Sequence, residues 1–149
     1  MLTHCDFVFA GESAKFQMPF VNLGVVPEFG STYSLPARMG YIRAAELILL
    51  AQPFNASRAA ELGLVTQVIP DETLLTTASE TAQKLAQKPA GALQASKRLM
   101  KWSIRQPVED AIRAENEEFA SRVRSTEARD AMTAFLDKHK PHVTATTQP

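Results

Sequence analysis

The pattern of hydrophobic and polar positions divides the chain into a first half that contains strands and a second half that is helical. Residues 5–10 form a short apolar and aromatic run, and residues 14–19 alternate apolar with polar side chains, so each segment predicts a strand. Residues 64–69 are rich in β-branched side chains and predict a third strand. Three strands this short rarely form an independent sheet, which indicates that the sheet extends beyond them.

Three helices are predicted between the second and third strands, over residues 31–39, 42–51 and 55–63. We expect Ser31 or Thr32 to cap the first of these helices, because their hydroxyls can accept from free N–H groups of the first turn. Pro36 is expected to kink or break the same helix. Gly63 is a natural C-terminal cap for the third helix.

The second half of the chain predicts four more helices, over residues 71–87, 89–104, 107–124 and 126–140. Pro89 and Pro107 fit the first turns of the second and third of these helices, where a missing N–H group costs nothing. An apolar stripe along the third is interrupted by Glu115. Residues 141–149 are polar and predict a disordered tail.

Composition excludes several classes of partner. The 149 residues carry 16 basic and 16 acidic side chains, and this zero net charge removes any global attraction to nucleic acid. The single cysteine, Cys5, cannot form an internal disulfide and favours a reducing, cytoplasmic location. No apolar run approaches the roughly 20 residues of a membrane span. The three histidines lack the spacing of metal ligands, so no metal is expected.

Glu28 is the candidate for chemistry, because it lies among apolar residues in a turn between a strand and a helix. Its neighbours include Phe20, Val26 and Phe29. A carboxylate in apolar surroundings suits proton transfer at neutral pH. The alternative is an ordinary surface glutamate, since loops are polar and exposed.

Short motifs follow one another through the first half at a characteristic spacing: Cys5-Asp6, Ala10-Gly11-Glu12, Leu23-Gly24-Val25-Val26-Pro27, Leu35-Pro36-Ala37-Arg38-Met39-Gly40 and Gly63-Leu64-Val65. In this order they resemble the crotonase superfamily of enoyl-CoA hydratases and isomerases. The resemblance implies an α/β fold, with part of the crotonase ββα superhelix core followed by an α-helical oligomerisation region. The corresponding division is a partial spiral core over 1–70, a helical region over 71–140 and a disordered tail over 141–149.

Within the superfamily, the chain is most similar to the Δ3,Δ2-enoyl-CoA isomerases. Hydratases of the family carry a glutamate after the first proline of this stretch, where this chain has Phe20. They typically carry glycine after the second proline, where this chain has Glu28 and where these isomerases carry their catalytic base. One carboxylate is enough to move a proton from C2 to C4, whereas hydration in this family uses two.

The resemblance also implies residues that contact the substrate. Phe20, Asn22 and Phe29 flank the base, although Asn22 is explained as well by closing the turn. Phe135 and Lys138 match positions on the family's last helix that contact the acyl chain and the coenzyme A phosphates. An amphipathic helix explains Phe135 equally well through packing.

An acyl-CoA thioester is the implied substrate, and coenzyme A is part of that substrate rather than a separate cofactor. The family likeness implies a homotrimer or hexamer. Both oxyanion-hole donors of the family would precede Met1, so we expect a C-terminal portion that lacks the oxyanion hole and is inactive alone. Two alternatives stay open: an enoyl-CoA hydratase or other crotonase activity, and a non-catalytic oligomerisation or binding module.

Overall fold

The computed structural model describes residues 1–138, so the predicted tail over 141–149 lies outside the described residues. Residues 1–138 contain four short strands, β1 Phe9–Gly11, β2 Lys15–Phe16, β3 Phe54–Asn55 and β4 Gln67–Ile69. The same described part of the chain contains six α-helices, α1 Ser31–Met39, α2 Tyr41–Leu50, α3 Ala56–Glu61, α4 Leu74–Ala86, α5 Ala90–Arg122 and α6 Thr126–Lys138. Short 3-10 turns occupy Leu2–His4, Val21–Leu23 and Asp71–Thr73. This arrangement agrees with the predicted α/β class.

The described strands form two separate pairs. β1 and β4 are parallel, with Phe9 opposite Gln67 and Gly11 opposite Ile69. β2 and β3 are antiparallel, and the rings of Phe16 and Phe54 stack with their centroids 5.6 Å apart. The sequence pattern does not predict β3, because two residues are too few to show a period of two.

The core lies between the strand pairs and the first three helices. Leu35 of α1 is completely buried, and Leu47 of α2 and Ala59 of α3 pack into the same cluster. Gly40 ends α1 and begins α2 with a φ of 83°, a conformation that glycine adopts without strain. The predicted helix from Asn55 is confirmed, and the Asn55 side chain accepts from the backbone N–H of Arg58.

The predicted bounds of α1 agree with the structure, but the predicted capping residue is wrong. The cap position belongs to Gly30 rather than to Ser31 or Thr32, and glycine has no side chain that could cap the helix. Pro36 also fails to break α1, which continues to Met39. The buried residues Leu35 and Met39 on either side of Pro36 hold this part of the helix against the core.

The predicted break at Pro107 is also wrong, because α5 is a single helix of 33 residues that contains this proline. A proline inside a helix removes one hydrogen bond and crowds the preceding turn, so other interactions must continue the helix. Val108 and Ile112 supply such interactions by packing closely over Gly30 at the start of α1. Tertiary packing thus prevails over local propensity here. No helix within residues 1–138 is long and apolar enough to cross a membrane.

Replacement of Pro107 by alanine tests the continuous helix. We expect Pro107→Ala to raise the free energy of unfolding in urea by about 1–3 kcal/mol, because alanine restores an N–H donor inside α5. Pro89 precedes the first residue of α5, so Pro89→Ala is the matched control and should give no such gain. A loss of stability in Pro107→Ala would contradict a continuous α5.

Candidate active site

Glu28 lines a small apolar cavity of about 150 Å³ beneath the start of α1. It is the only carboxylate among the residues that line this cavity. The apolar walls come from Phe16, Met18, Phe20, Leu35 and Leu64. The Glu28 side chain is half-buried, and its carboxylate forms no hydrogen bond with any described residue. It is therefore placed to exchange a proton with a ligand in the cavity.

The turn that carries Glu28 has an unusual backbone. Phe29 and Gly30 both adopt left-handed conformations, with φ of 61° and 67°. A phenylalanine at positive φ is uncommon and strained, so the surroundings must hold it there. The carbonyl oxygen of Glu28 accepts from the hydroxyl of Ser31 at 2.5 Å and from its N–H at 3.2 Å. The next carbonyl, that of Phe29, accepts from Nε2 of His4 at 2.6 Å.

Glu115 of α5 fixes the other side of this turn. Its carboxylate is buried, with 4% exposure, and accepts the N–H of Gly30 at 2.6 Å through Oε2. Oε1 accepts from the N–H of Thr32 at 2.8 Å and from its hydroxyl at 2.6 Å. A buried carboxylate is costly unless it is hydrogen-bonded, and three donors together with the positive end of α1 compensate it. In the sequence, Glu115 was noticeable only as a charged residue that interrupts the apolar stripe of this helix.

Gly30 is required by space as well as by conformation. A Cβ at this position would lie 3.1 Å from Cγ1 of Val108 and 3.3 Å from Cγ1 of Ile112. Such distances are tighter than ordinary contacts, so α5 approaches α1 this closely only because residue 30 has no side chain. The same close approach brings Glu115 within reach of the first turn of α1.

Met1, Leu2 and Thr3 form one wall of the cavity, and the residues that follow them are tied to α5. Asp6 forms an ion pair with Lys97 and a longer ion pair, at 3.4 Å, with Lys101. The ammonium group of Lys101 also donates a hydrogen bond to the carbonyl oxygen of His4 at 3.1 Å. The hydrogen bond from Lys97 holds the pKa of Asp6 below its usual range and outweighs the desolvation that raises it. Thr3 lines the cavity, and its buried hydroxyl has no hydrogen-bond partner among the described residues.

The structure brings together some of the residues predicted from the sequence. Phe20 and Phe29 line the cavity with Glu28. Asn22 does not: it is exposed, and its Nδ2 donates to the carbonyl of Ala51 at 3.4 Å. Phe135 is 46% exposed on α6 and does not line this cavity. The side chain of Lys138 lies outside the part of the chain that the structure describes.

The chemistry available in this cavity is proton transfer by one carboxylate. Within residues 1–138, no group of three His, Cys, Asp or Glu side chains is placed to hold a metal ion. The apolar walls suit a hydrocarbon chain.

Comparison with known proteins identifies relatives over most of the chain. Residues 1–146 match the family model described as enoyl-CoA hydratase/isomerase. The chain is 35% identical over 136 residues to the short-chain-enoyl-CoA hydratase of Clostridium acetobutylicum, covering 91% of this chain and 52% of that protein. It is 36% identical over 139 residues to the 1,2-epoxyphenylacetyl-CoA isomerase of Escherichia coli, covering 93% of this chain and 53% of that protein.

Solved structures share the fold. The structure of Pseudomonas aeruginosa OdaA matches with a TM-score of 0.88 and 42% identity, covering 91% of this chain and 55% of that one. An enoyl-CoA hydratase/isomerase structure from Pseudoalteromonas atlantica matches with a TM-score of 0.88 and 34% identity, covering 95% of this chain and 57% of that one. The chain spans about half the length of the curated relatives it matches.

Substitution of Gly30 tests the packing at the turn. We expect Gly30→Ala to lower the free energy of unfolding by about 1–3 kcal/mol, because the added Cβ meets α5 and positive φ is strained. Gly91 is the second residue of α5 and has open space around it, so Gly91→Ala is a control without a clash and should raise the free energy of unfolding by at most about 0.5 kcal/mol. Equal effects of the two substitutions would contradict the close contact at Gly30.

The pairing of Asp6 predicts a pH-dependent difference in stability between the wild type and Asp6→Asn. Because the pKa of Asp6 is lowered in the folded state, its contribution to stability is fully present above its ordinary pKa of 3.8 and is lost as the pH falls through the lowered pKa of the folded state. Its side chain is 35% exposed and screened by solvent, so we expect at most about 1 kcal/mol at pH 7.

Urea unfolding of both proteins at pH 7 and in acid measures this difference. It should shrink in high salt, since salt screens exposed charges. A difference that grew as the pH fell below 4 would contradict the pairing.

Proposed function

Because the chain belongs to the enoyl-CoA hydratase/isomerase family, we propose that the protein moves a double bond of a fatty enoyl-CoA from C3 to C2, with Glu28 as the base. The observation that carries this proposal is the position of Glu28, the only carboxylate lining an otherwise largely apolar cavity. The substrate is an acyl-CoA thioester, and coenzyme A is part of it.

The proposed reaction needs one group that carries a proton between two carbon atoms. The Glu28 carboxylate removes a proton from C2. The electrons of that C–H bond form a C1=C2 bond and the carbonyl π electrons move to the thioester oxygen, which gives a dienolate that still contains C3=C4. The protonated Glu28 then delivers the proton to C4: the C3=C4 π electrons form the new C–H bond, the C1=C2 electrons form C2=C3, and the charge on oxygen collapses to restore the carbonyl. Proton transfer by one positioned carboxylate accounts for both steps. The developing charge on oxygen requires hydrogen-bond donors, which the family supplies from backbone N–H groups.

The choice of isomerase over hydratase rests on Phe20. Hydration requires activation of water and delivery of a proton, for which the family uses two glutamates. Phe20 stands where hydratases of the family carry one of these glutamates, and its ring forms part of the cavity wall beside Glu28. Apolar walls at this point disfavour a bound water and favour the acyl chain.

The remaining parts of the proposal concern binding and assembly. Phe20 and Phe29 contact the acyl chain near the reacting carbons. Phe135 and Lys138 contact the acyl chain and the coenzyme A phosphates across a subunit boundary, which is consistent with the absence of Phe135 from this cavity. Asn22 keeps the neighbouring turn in place through its bond to Ala51. A cytoplasmic location, a trimer or hexamer, and the division of the chain at residue 70 remain predictions.

Replacement of Glu28 tests the proposed base, and the assay uses the natural protein of the source organism. We expect Glu28→Gln to lower kcat for isomerisation of a 3-enoyl-CoA by at least about 10²-fold, because an amide cannot take up the proton. Glu12 is exposed in the turn after β1, so Glu12→Gln is the control and should retain normal kcat. Activity of Glu28→Gln close to that of the control would refute the role of Glu28.

The same assay separates the alternatives. Faster hydration of a 2-enoyl-CoA than isomerisation of a 3-enoyl-CoA by the wild type would favour a hydratase. Absence of turnover with both thioesters, together with measurable binding of either, would favour a non-catalytic binding module.

A further inference from the structure

Resting on the proposed role of Glu28, we propose that Glu115 is a positioning residue, which sets the placement of the Glu28 carboxylate by holding the turn between Glu28 and α1. Glu115 does not line the cavity, so it acts through the backbone and not by contact with a ligand. The juxtaposition arises across the fold, since 85 positions of sequence separate Glu115 from Gly30.

The Glu115 carboxylate binds the backbone of the turn that immediately follows Glu28. Only Phe29 separates Glu28 from Gly30, whose N–H donates to Oε2 of Glu115. Thr32 donates to Oε1 through its N–H and its hydroxyl. The turn also folds back on itself, because Ser31 donates to the carbonyl of Glu28. A shift of Glu115 would thus move both anchors of the segment that carries the base.

Glu115 also leaves the Glu28 carboxylate free to react. Free N–H groups at a helix start attract nearby carboxylates, and a glutamate just before α1 would be a natural candidate to accept them. In this fold Glu115 accepts the N–H groups of Gly30 and Thr32, and the Glu28 carboxylate bonds to no described residue. Loss of Glu115 would leave those donors without a partner and let Glu28 turn toward them.

An amide cannot replace this carboxylate. Glutamine at position 115 retains one oxygen acceptor, but its NH₂ group would face a backbone N–H and repel it. One of the two anchors, Gly30 or Thr32, would then lose its partner. The left-handed conformation of Phe29 would be free to relax, because strain of this kind persists only when the surroundings enforce it.

The expected effect is on the chemical step. A displacement of about 1 Å in a reacting group can cost roughly 10²-fold in rate, so we expect Glu115→Gln to lower kcat for 3-enoyl-CoA isomerisation by about 10- to 100-fold. KM should change by less than about threefold, because Glu115 does not touch the cavity. Glu117 is exposed on the same helix, and Glu117→Gln is the matched control with normal kcat and KM.

A double-mutant cycle distinguishes positioning from general support of the fold. If Glu115 acts through Glu28, Glu115→Gln should lower kcat in the wild-type background and have little further effect on Glu28→Gln. If Glu115 only supports the fold, the same loss will appear in both backgrounds, and the inference is overturned. It is also overturned if Glu28→Gln lowers kcat but Glu115→Gln behaves as Glu117→Gln does. Normal kcat in Glu28→Gln would instead overturn the proposed function.

A second pair of variants serves if Glu115→Gln does not fold. Thr32→Val removes the hydroxyl donor to Oε1 but retains the N–H, whereas Thr32→Ser retains both. We expect a lower kcat in Thr32→Val and recovery in Thr32→Ser, with unchanged KM in both. Amide exchange measured by NMR should be faster at Gly30 in Thr32→Val than in Thr32→Ser. Equal kcat and equal exchange in the two variants would overturn the inference.

Discussion

One buried carboxylate holds the part of the fold on which the proposed chemistry depends. Glu115 accepts three hydrogen bonds from Gly30 and Thr32 at the start of α1, and so joins α5 to the turn that contains Glu28. The glycine at position 30 permits this contact, since any side chain there would meet Val108 and Ile112. Burial makes the carboxylate costly to leave unpaired, and this cost ties the turn to a single arrangement.

The two carboxylates at this helix start have different environments and different uses. Glu115 is enclosed and saturated by donors, which suits a structural anchor. Glu28 is half-buried at an apolar cavity and bonds to no described residue, which suits a group that must accept and release a proton. Strain in the left-handed Phe29 lies between them, and such strain is typical of functional sites.

Sequence reasoning succeeded where the signal was local. Short apolar or alternating runs predicted the three strands β1, β2 and β4, which are shorter in the structure than predicted. Helix-forming runs and the cap at Asn55 predicted the helices of the first half, and the motif around Glu28 indicated the candidate base. The prediction from sequence failed where contacts between distant parts of the chain determine the local structure. Helix α5 continues through Pro107 because α5 packs on α1. A side-chain hydroxyl is not needed to cap α1 at Gly30, because the Glu115 carboxylate, 85 positions away in sequence, accepts the hydrogen bond. The pattern exposed Glu115 as a charge in an apolar stripe, but no local rule names its partner.

The central claim is that one carboxylate, Glu28, carries a proton from C2 to C4 of an enoyl-CoA. The most direct measurement is a single turnover of 3-enoyl-CoA deuterated at C2 by the protein as its source organism makes it, with the product analysed by mass spectrometry and NMR. The account predicts a 2-enoyl-CoA that retains deuterium at C4. A 3-hydroxyacyl product, or an isomerised product whose C4 carries hydrogen from the solvent alone, would contradict it.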